Sequence, residues 1–130
     1  IGMFFTMIAV AGIILTVIFQ IGHVVPTTDF IHQDTHTTKE NWHIHQLKTT
    51  SNFGSNSRLV TYLMGGLNYQ IEHHLYPNIS HVHYGKIAKF VKETAKECNL
   101  PYNEFQTMAE AVVAHFRHLK DLGKKPMLSA

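Results

Sequence analysis

Cysteine is almost missing from these 130 residues: Cys98 stands alone, so no disulfide can close within the chain. That is compatible with a reducing, cytosolic setting. Proline is sparse too, with four in all, and Trp42 is the single tryptophan. Charge is missing from an entire segment. Between Ile1 and Gly22 there is no Asp, Glu, Lys or Arg, and the only polar side chains are Thr6, Thr16 and Gln20. The net charge is +2, from eleven basic and nine acidic residues mixed through the remainder, which excludes the basic footprint of a nucleic-acid binder. No strand pattern of any length and no repeat is present.

What the sequence does contain is unevenly placed. At about 1.5 Å per residue, the uncharged opening can cross the roughly 30 Å hydrocarbon layer of a bilayer as one helix. It has no basic leader and no small-residue cleavage site after it, so it does not read as a signal peptide. A buried globular helix is the alternative. The expected architecture is all-α: one transmembrane helix over 1–22, then a cytosolic helical part over 23–130. Cationic residues from Lys39 onward place that second part on the cytoplasmic side. The chain opens at Ile1 inside the apolar run and reads as the C-terminal part of something longer.

The stretch most loaded with chemistry is Gly65-Gly66-Leu67-Asn68-Tyr69-Gln70-Ile71-Glu72-His73-His74-Leu75-Tyr76-Pro77. On a helix, residues three and four apart share a face, so Gln70, His73 and His74 point the same way. Two imidazoles and an amide make half of a metal site. Pro77 disfavours helical geometry at Tyr76, so the helix should stop there. With eleven histidines in the chain, an adjacent surface pair arises by chance about as readily. Imidazoles without thiolates or a carboxylate cluster suit iron, zinc, copper or nickel, and spacing does not choose among them.

Gly66 to Pro77 resembles the third histidine box of membrane fatty acid desaturases, in the variant where Gln replaces the first His, typical of front-end and linoleoyl-CoA-type enzymes. Trp42, Gln46-Leu47-Lys48-Thr49-Thr50-Ser51-Asn52-Phe53, His83-Tyr84 and Leu100-Pro101-Tyr102 resemble the same family, and the likeness runs from about Gln20 to Tyr102. It implies a non-haem di-iron centre, O₂ as co-substrate, a cis double bond made in an acyl chain bound to CoA or lipid, and electrons from cytochrome b5 or ferredoxin. It also implies an integral membrane protein, in a bacterial inner membrane or the endoplasmic reticulum. The Gln20-x-x-His23 spacing matches a family histidine that ligates metal between the last span and the third box. The ligands implied are then His23, Gln70 (directly or through water), His73 and His74, with Gln20 in support. Two other boxes of the family are not in this chain, so alone it should neither hold a complete centre nor turn over. A related fatty acyl hydroxylase, or a zinc-binding membrane receptor built on histidines, are the rival readings.

The remaining segments read more simply. Residues 24–41 form a loop in which His32 and His36 only imitate a first histidine box. Asn41–Phe53 is either extended or the start of a helix, with Trp42 at the membrane interface and His45 in an ordinary polar contact. Ser55 or Ser57 caps a helix from Arg58 that Gly65-Gly66 interrupts. Asn68 or Glu72 is expected to orient a ligand imidazole. Tyr84–Glu97 reads as an amphipathic helix with Ile87, Phe90, Val91 and Ala95 inward. A last helix opens with Asn103 and Gln106 in capping-box spacing, carries Phe105, Met108, Val112, Phe116 and Leu119 as its apolar stripe, and stops near Gly123 and Pro126. Its His115 and His118 are read as surface residues.

Overall fold

The computed structural model describes residues 1–28 and 42–124, so His32, His36 and Pro126 lie outside the described residues. Helix α1 runs Gly2–His23 and is apolar and long enough to cross a membrane. Its side chains are exposed as far as Thr16, and burial begins only with Ile18, Ile21 and Gly22. The rest of the described chain gathers about that end. It consists of α2 (Trp42–Thr49), β1 (Asn52–Phe53), α3 (Arg58–Leu63), α4 (Gln70–Leu75), a 3₁₀ turn (His81–His83), α5 (Tyr84–Glu97), β2 (Glu104–Phe105) and α6 (Met108–Lys124).

The expected absence of strands needs correcting. β1 and β2 pair in parallel, Asn52 with Glu104 and Phe53 with Phe105. Two residues per strand are too few to leave an alternating pattern, and the pairing exists because distant segments meet. Otherwise the described residues are predominantly helical, as the sequence patterns suggested.

Local signals explain most boundaries. Ser57 Oγ accepts the Val60 N–H at 3.3 Å and starts α3. Gly65 and Gly66 then take φ of +56° and +81°, so the helix reverses instead of running on to the histidines. α4 stops at Leu75, two residues before Pro77, as the proline predicts. α5 ends with Asn99 in the left-handed region, while Leu100 N–H reaches back to Ala95 O at 2.8 Å, a glycine-free version of the usual C-terminal lock.

The amphipathic readings were right in kind and partly wrong in register. On α5 the buried side is Tyr84, Ala88, Val91 and Ala95, whereas Phe90 is 70% exposed. On α6 the box is Thr107 with Glu110, not Asn103 with Gln106: Glu110 N–H donates to Thr107 Oγ1 and Thr107 N–H to Glu110 Oε2, each at 3.1 Å. Phe116 and Leu119 face outward, and the buried positions are Ala111 and His115. His115 is therefore no surface residue. Its Nδ1 lies 2.7 Å from Val24 O, at the frayed end of α1, where a carbonyl lacks a helical partner.

The principal core joins Ile18 and Ile21 of α1 to Phe53 and Ala111, with Met64, Leu67, Phe105 and Val112 around them. A second cluster, Leu47, Ile71 and Val91, ties α2, α4 and α5 together. α4 lies between the two.

Candidate metal site

α4 is held from both sides by residues far away in sequence. On the α1 side Gln70 is 0% exposed and packs against Gly22 so closely that a Cβ there would sit 2.8 Å from Gln70 Cγ. One turn on, the His74 ring lies edge-on to His23, with centroids 5.0 Å apart, and His73 stands 5.8 Å from His74. The end of α1 and the short helix thus bring together His23, His73 and His74. Two imidazoles on one metal ion, each with N–metal near 2.0–2.1 Å, place their ring centres about 5 Å apart.

The electrostatics agree with lone pairs held available. The His74 pKa is pushed down to about 4, by burial first and then by the positive charges of His23 and His73 when protonated. His74 is neutral near pH 7, the form a metal accepts. His23 Nδ1 lies 3.4 Å from the Thr49 carbonyl, which can only accept; the bond requires a proton on Nδ1, so in the neutral ring the lone pair is on Nε2. His73 Nδ1 lies 3.3 Å from the Tyr84 hydroxyl. Both amide atoms of Gln70 are buried without a hydrogen-bond partner among the described residues. Leaving such a group unpaired costs about 1–3 kcal/mol, so a buried amide of this kind beside imidazoles fits a metal ligand or a partner for a metal-bound water. Among the described residues no group of three or more His, Cys, Asp or Glu is by itself arranged to hold a metal ion. The donors fit part of a ligand set, not a closed one.

Orientation of the imidazoles does not come from Asn68 or Glu72, as expected, but from Thr49 and Tyr84. Asn68 Nδ2 donates to Thr61 Oγ1 at 3.1 Å. Glu72 is about half a turn from the ligand face and is 0% exposed; it accepts from Asn52 Nδ2 at 2.7 Å and from the Tyr102 hydroxyl at 3.0 Å. Burial raises the Glu72 carboxyl above the usual range, against the hydrogen bonds from Asn52, its own backbone and Tyr102 that lower it. Burial, and then the Glu72 charge, pushes the Tyr102 phenol up as well. Asn52 and Tyr102 had no assigned role in the sequence; their only signal was their place in the stretches that resemble the desaturases. His45 contributes its carbonyl to Thr49 Oγ1, and Gln20 its carbonyl to Val24 N–H.

With this geometry in view, comparison with known proteins is informative. The sequence profile described as fatty acid desaturase matches residues 1–106. The chain is 35% identical over 115 residues to the sn-1 linoleoyl-lipid 6-desaturase of Synechocystis sp., covering 87% of this chain and 32% of that protein. It is 40% identical over 114 residues to the acyl-lipid (8-3)-desaturase of Physcomitrium patens, 88% of this chain and 24% of that one. For the acyl-lipid (8-3)-desaturase of Mortierella alpina the identity is 35% over 113 residues, 86% and 25%. The chain thus spans between a quarter and a third of the length of the curated relatives it matches. No solved structure matches it.

Proposed function

Since this chain belongs to the fatty acid desaturase family, we propose that it supplies part of the iron-binding face of a membrane desaturase that makes a cis double bond in an acyl chain carried on a lipid. The observation that carries this reading is the meeting of His23, His73 and His74 at the end of the long apolar helix, beside the buried, unpartnered amide of Gln70. The lipid carrier is favoured over CoA by the names of the relatives, a linoleoyl-lipid and an acyl-lipid desaturase.

In this reading residues 1–22 span the bilayer, and the helical part from 23 onward lies against its cytoplasmic face. His23, His73 and His74 hold iron through imidazole nitrogen, with Gln70 contributing its amide oxygen directly or through water. Two iron ions, completed by ligands from elsewhere in the protein, would supply O₂ activation, with electrons from a donor such as cytochrome b5 or ferredoxin. A methylene chain has no proton acidic enough for a side chain to take, so the residues of this chain hold and orient; they do not act as acid or base. Thr49 fixes the tautomer of His23 through its carbonyl. Tyr84 does the equivalent for the ring of His73. Burial of Gln70 and Ile71 keeps bulk water from the inner side of α4.

The complete protein, expressed in yeast and supplied with unsaturated fatty acids, tests the proposal. Expected are iron in the purified protein and an acyl product short of two hydrogens by mass spectrometry, both lost in His23→Ala, His73→Ala and His74→Ala. A product that gains oxygen would make it a hydroxylase. Zinc without iron would favour a metal-binding receptor.

A further inference from the structure

Helix α4 has six residues, fewer than two turns, and a helix this short has no independent stability in water. Its N-cap residue, Tyr69, offers no side-chain bond to the first turn. The missing acceptor comes from far away in sequence: Asn52 Oδ1 accepts the Ile71 N–H at 2.9 Å. The two hydrogens of the same amide reach Glu72 Oε2 at 2.7 Å and the Tyr102 oxygen at 2.9 Å. Tyr102 donates its own O–H to Glu72 Oε1 at 3.0 Å. Every side-chain hydrogen bond that Asn52 makes among the described residues thus goes to α4 or to the tyrosine that also holds it.

The anchor is itself fixed. Asn52 is 0% exposed, pairs with Glu104 in the strand register, and donates its N–H to Asn103 O at 2.9 Å. One backbone bond and one side-chain bond from a single amide define both the height and the rotation of α4. Side chains reach about 5 Å from a helix axis, so a 20° roll would swing an imidazole by about 2 Å. Metal–ligand distances tolerate about 0.2 Å. Rotation of this helix is thus the coordinate to which the site is most sensitive.

We propose that Asn52, Glu72 and Tyr102 form a buried clamp that sets the roll of α4, and with it the direction in which His73 and His74 present their rings. They are positioning residues, and their relevance to iron rests on the reading given above. Folding alone does not demand such a triad, because apolar contacts of Ile71 with Leu47 and Val91 already bury the helix.

The test uses the complete protein in detergent, with Tyr102→Phe, Asn52→Asp and the near-isosteric Glu72→Gln. Hydrogen exchange of residues 69–75 is measured in iron-free protein, together with iron affinity, KM for the acyl substrate, and turnover. Expected for Tyr102→Phe and Asn52→Asp is exchange at least about tenfold faster in 69–75 with α5 and α6 at wild-type rates. Iron affinity should fall about tenfold, and turnover should fall at unchanged KM. Glu72→Gln, which keeps shape and one acceptor, falls between these and wild type. Wild-type exchange in 69–75, acceleration spread equally over α5 and α6, or unchanged iron affinity would each overturn the clamp. If the wild-type protein takes up no iron, the metal reading fails by itself, and the exchange measurement alone then supports or overturns the clamp.

Discussion

Replacing Gly22 by alanine separates two opposed effects at one atom. In an ordinary helix the change gains about 1 kcal/mol, because glycine is the poorer helix former. Here the new methyl would sit 2.8 Å from Gln70 Cγ and 3.2 Å from Cδ. Ordinary contact begins near 3.4 Å, so Gln70 must retreat by about 0.6 Å. The clash is in the middle of the side chain, and Gln70 is 0% exposed, so it has no solvent to move into. Overpacking of this kind costs about 1–3 kcal/mol, which exceeds the helix gain. Gly22→Ala should therefore lower stability by about 1 kcal/mol and, on the proposed iron-binding reading, reduce iron retention about tenfold, since 0.6 Å is several times what coordination tolerates. Thermal unfolding and iron per protein, measured on the complete protein in detergent, read both. The control is Gln70→Ala: in that background the methyl has room, and Gly22→Ala should stabilise. An equal cost in both backgrounds, or stabilisation in each, would refute the reasoning.

Gly66 and Gly65 should differ although they are neighbours. Both have positive φ, costing a side chain about 1 kcal/mol, but a Cβ on Gly66 would also lie 2.6 Å from His81 Cβ, whereas Gly65 faces open space. Denaturation should rank Gly66→Ala well below Gly65→Ala. His115→Leu leaves the Val24 carbonyl without its donor and should cost about 1–3 kcal/mol, visible as a lower melting temperature with the helicity of α1 retained. Glu104 offers a pH signature. Burial opposes its charge, but the bonds from Lys92 and Ser55 and the Lys92 charge win and hold its carboxyl below the usual 4.5. Its contribution to stability is then fully present above pH 4.5 and fades as pH falls below that value. Lys92→Met should destabilise modestly at pH 7, because Lys92 is 58% exposed and screened by solvent although Glu104 is only 14% exposed, and the difference should shrink in acid.

Much of this molecule is written in local sequence. The uncharged run of Ile1–Gly22 is legible because length and apolarity are one-dimensional properties. So is the stop at Pro77, the reversal at Gly65-Gly66, and the shared face of Gln70, His73 and His74, which follows from 3.6 residues per turn alone. The extent of α5 was equally readable.

What local sequence leaves open is which neighbour each face meets. Phe90 and Phe116 fall on the apolar stripes of their helices yet stand in the open, while His115, polar and flanked by charge, is buried against the end of α1. Asn52 looks like any loop amide until folding joins it to Glu72, 20 positions on, and to Tyr102, 50 positions on. The histidines are named by the sequence, but the approach of His74 to His23 across 51 positions, and the choice of Thr49 and Tyr84 to hold their rings, is tertiary. Periodicity fixes how side chains are arranged on their own helix; where that helix is rolled depends on hydrogen bonds and packing from segments that chain order keeps apart, and only the fold brings those together.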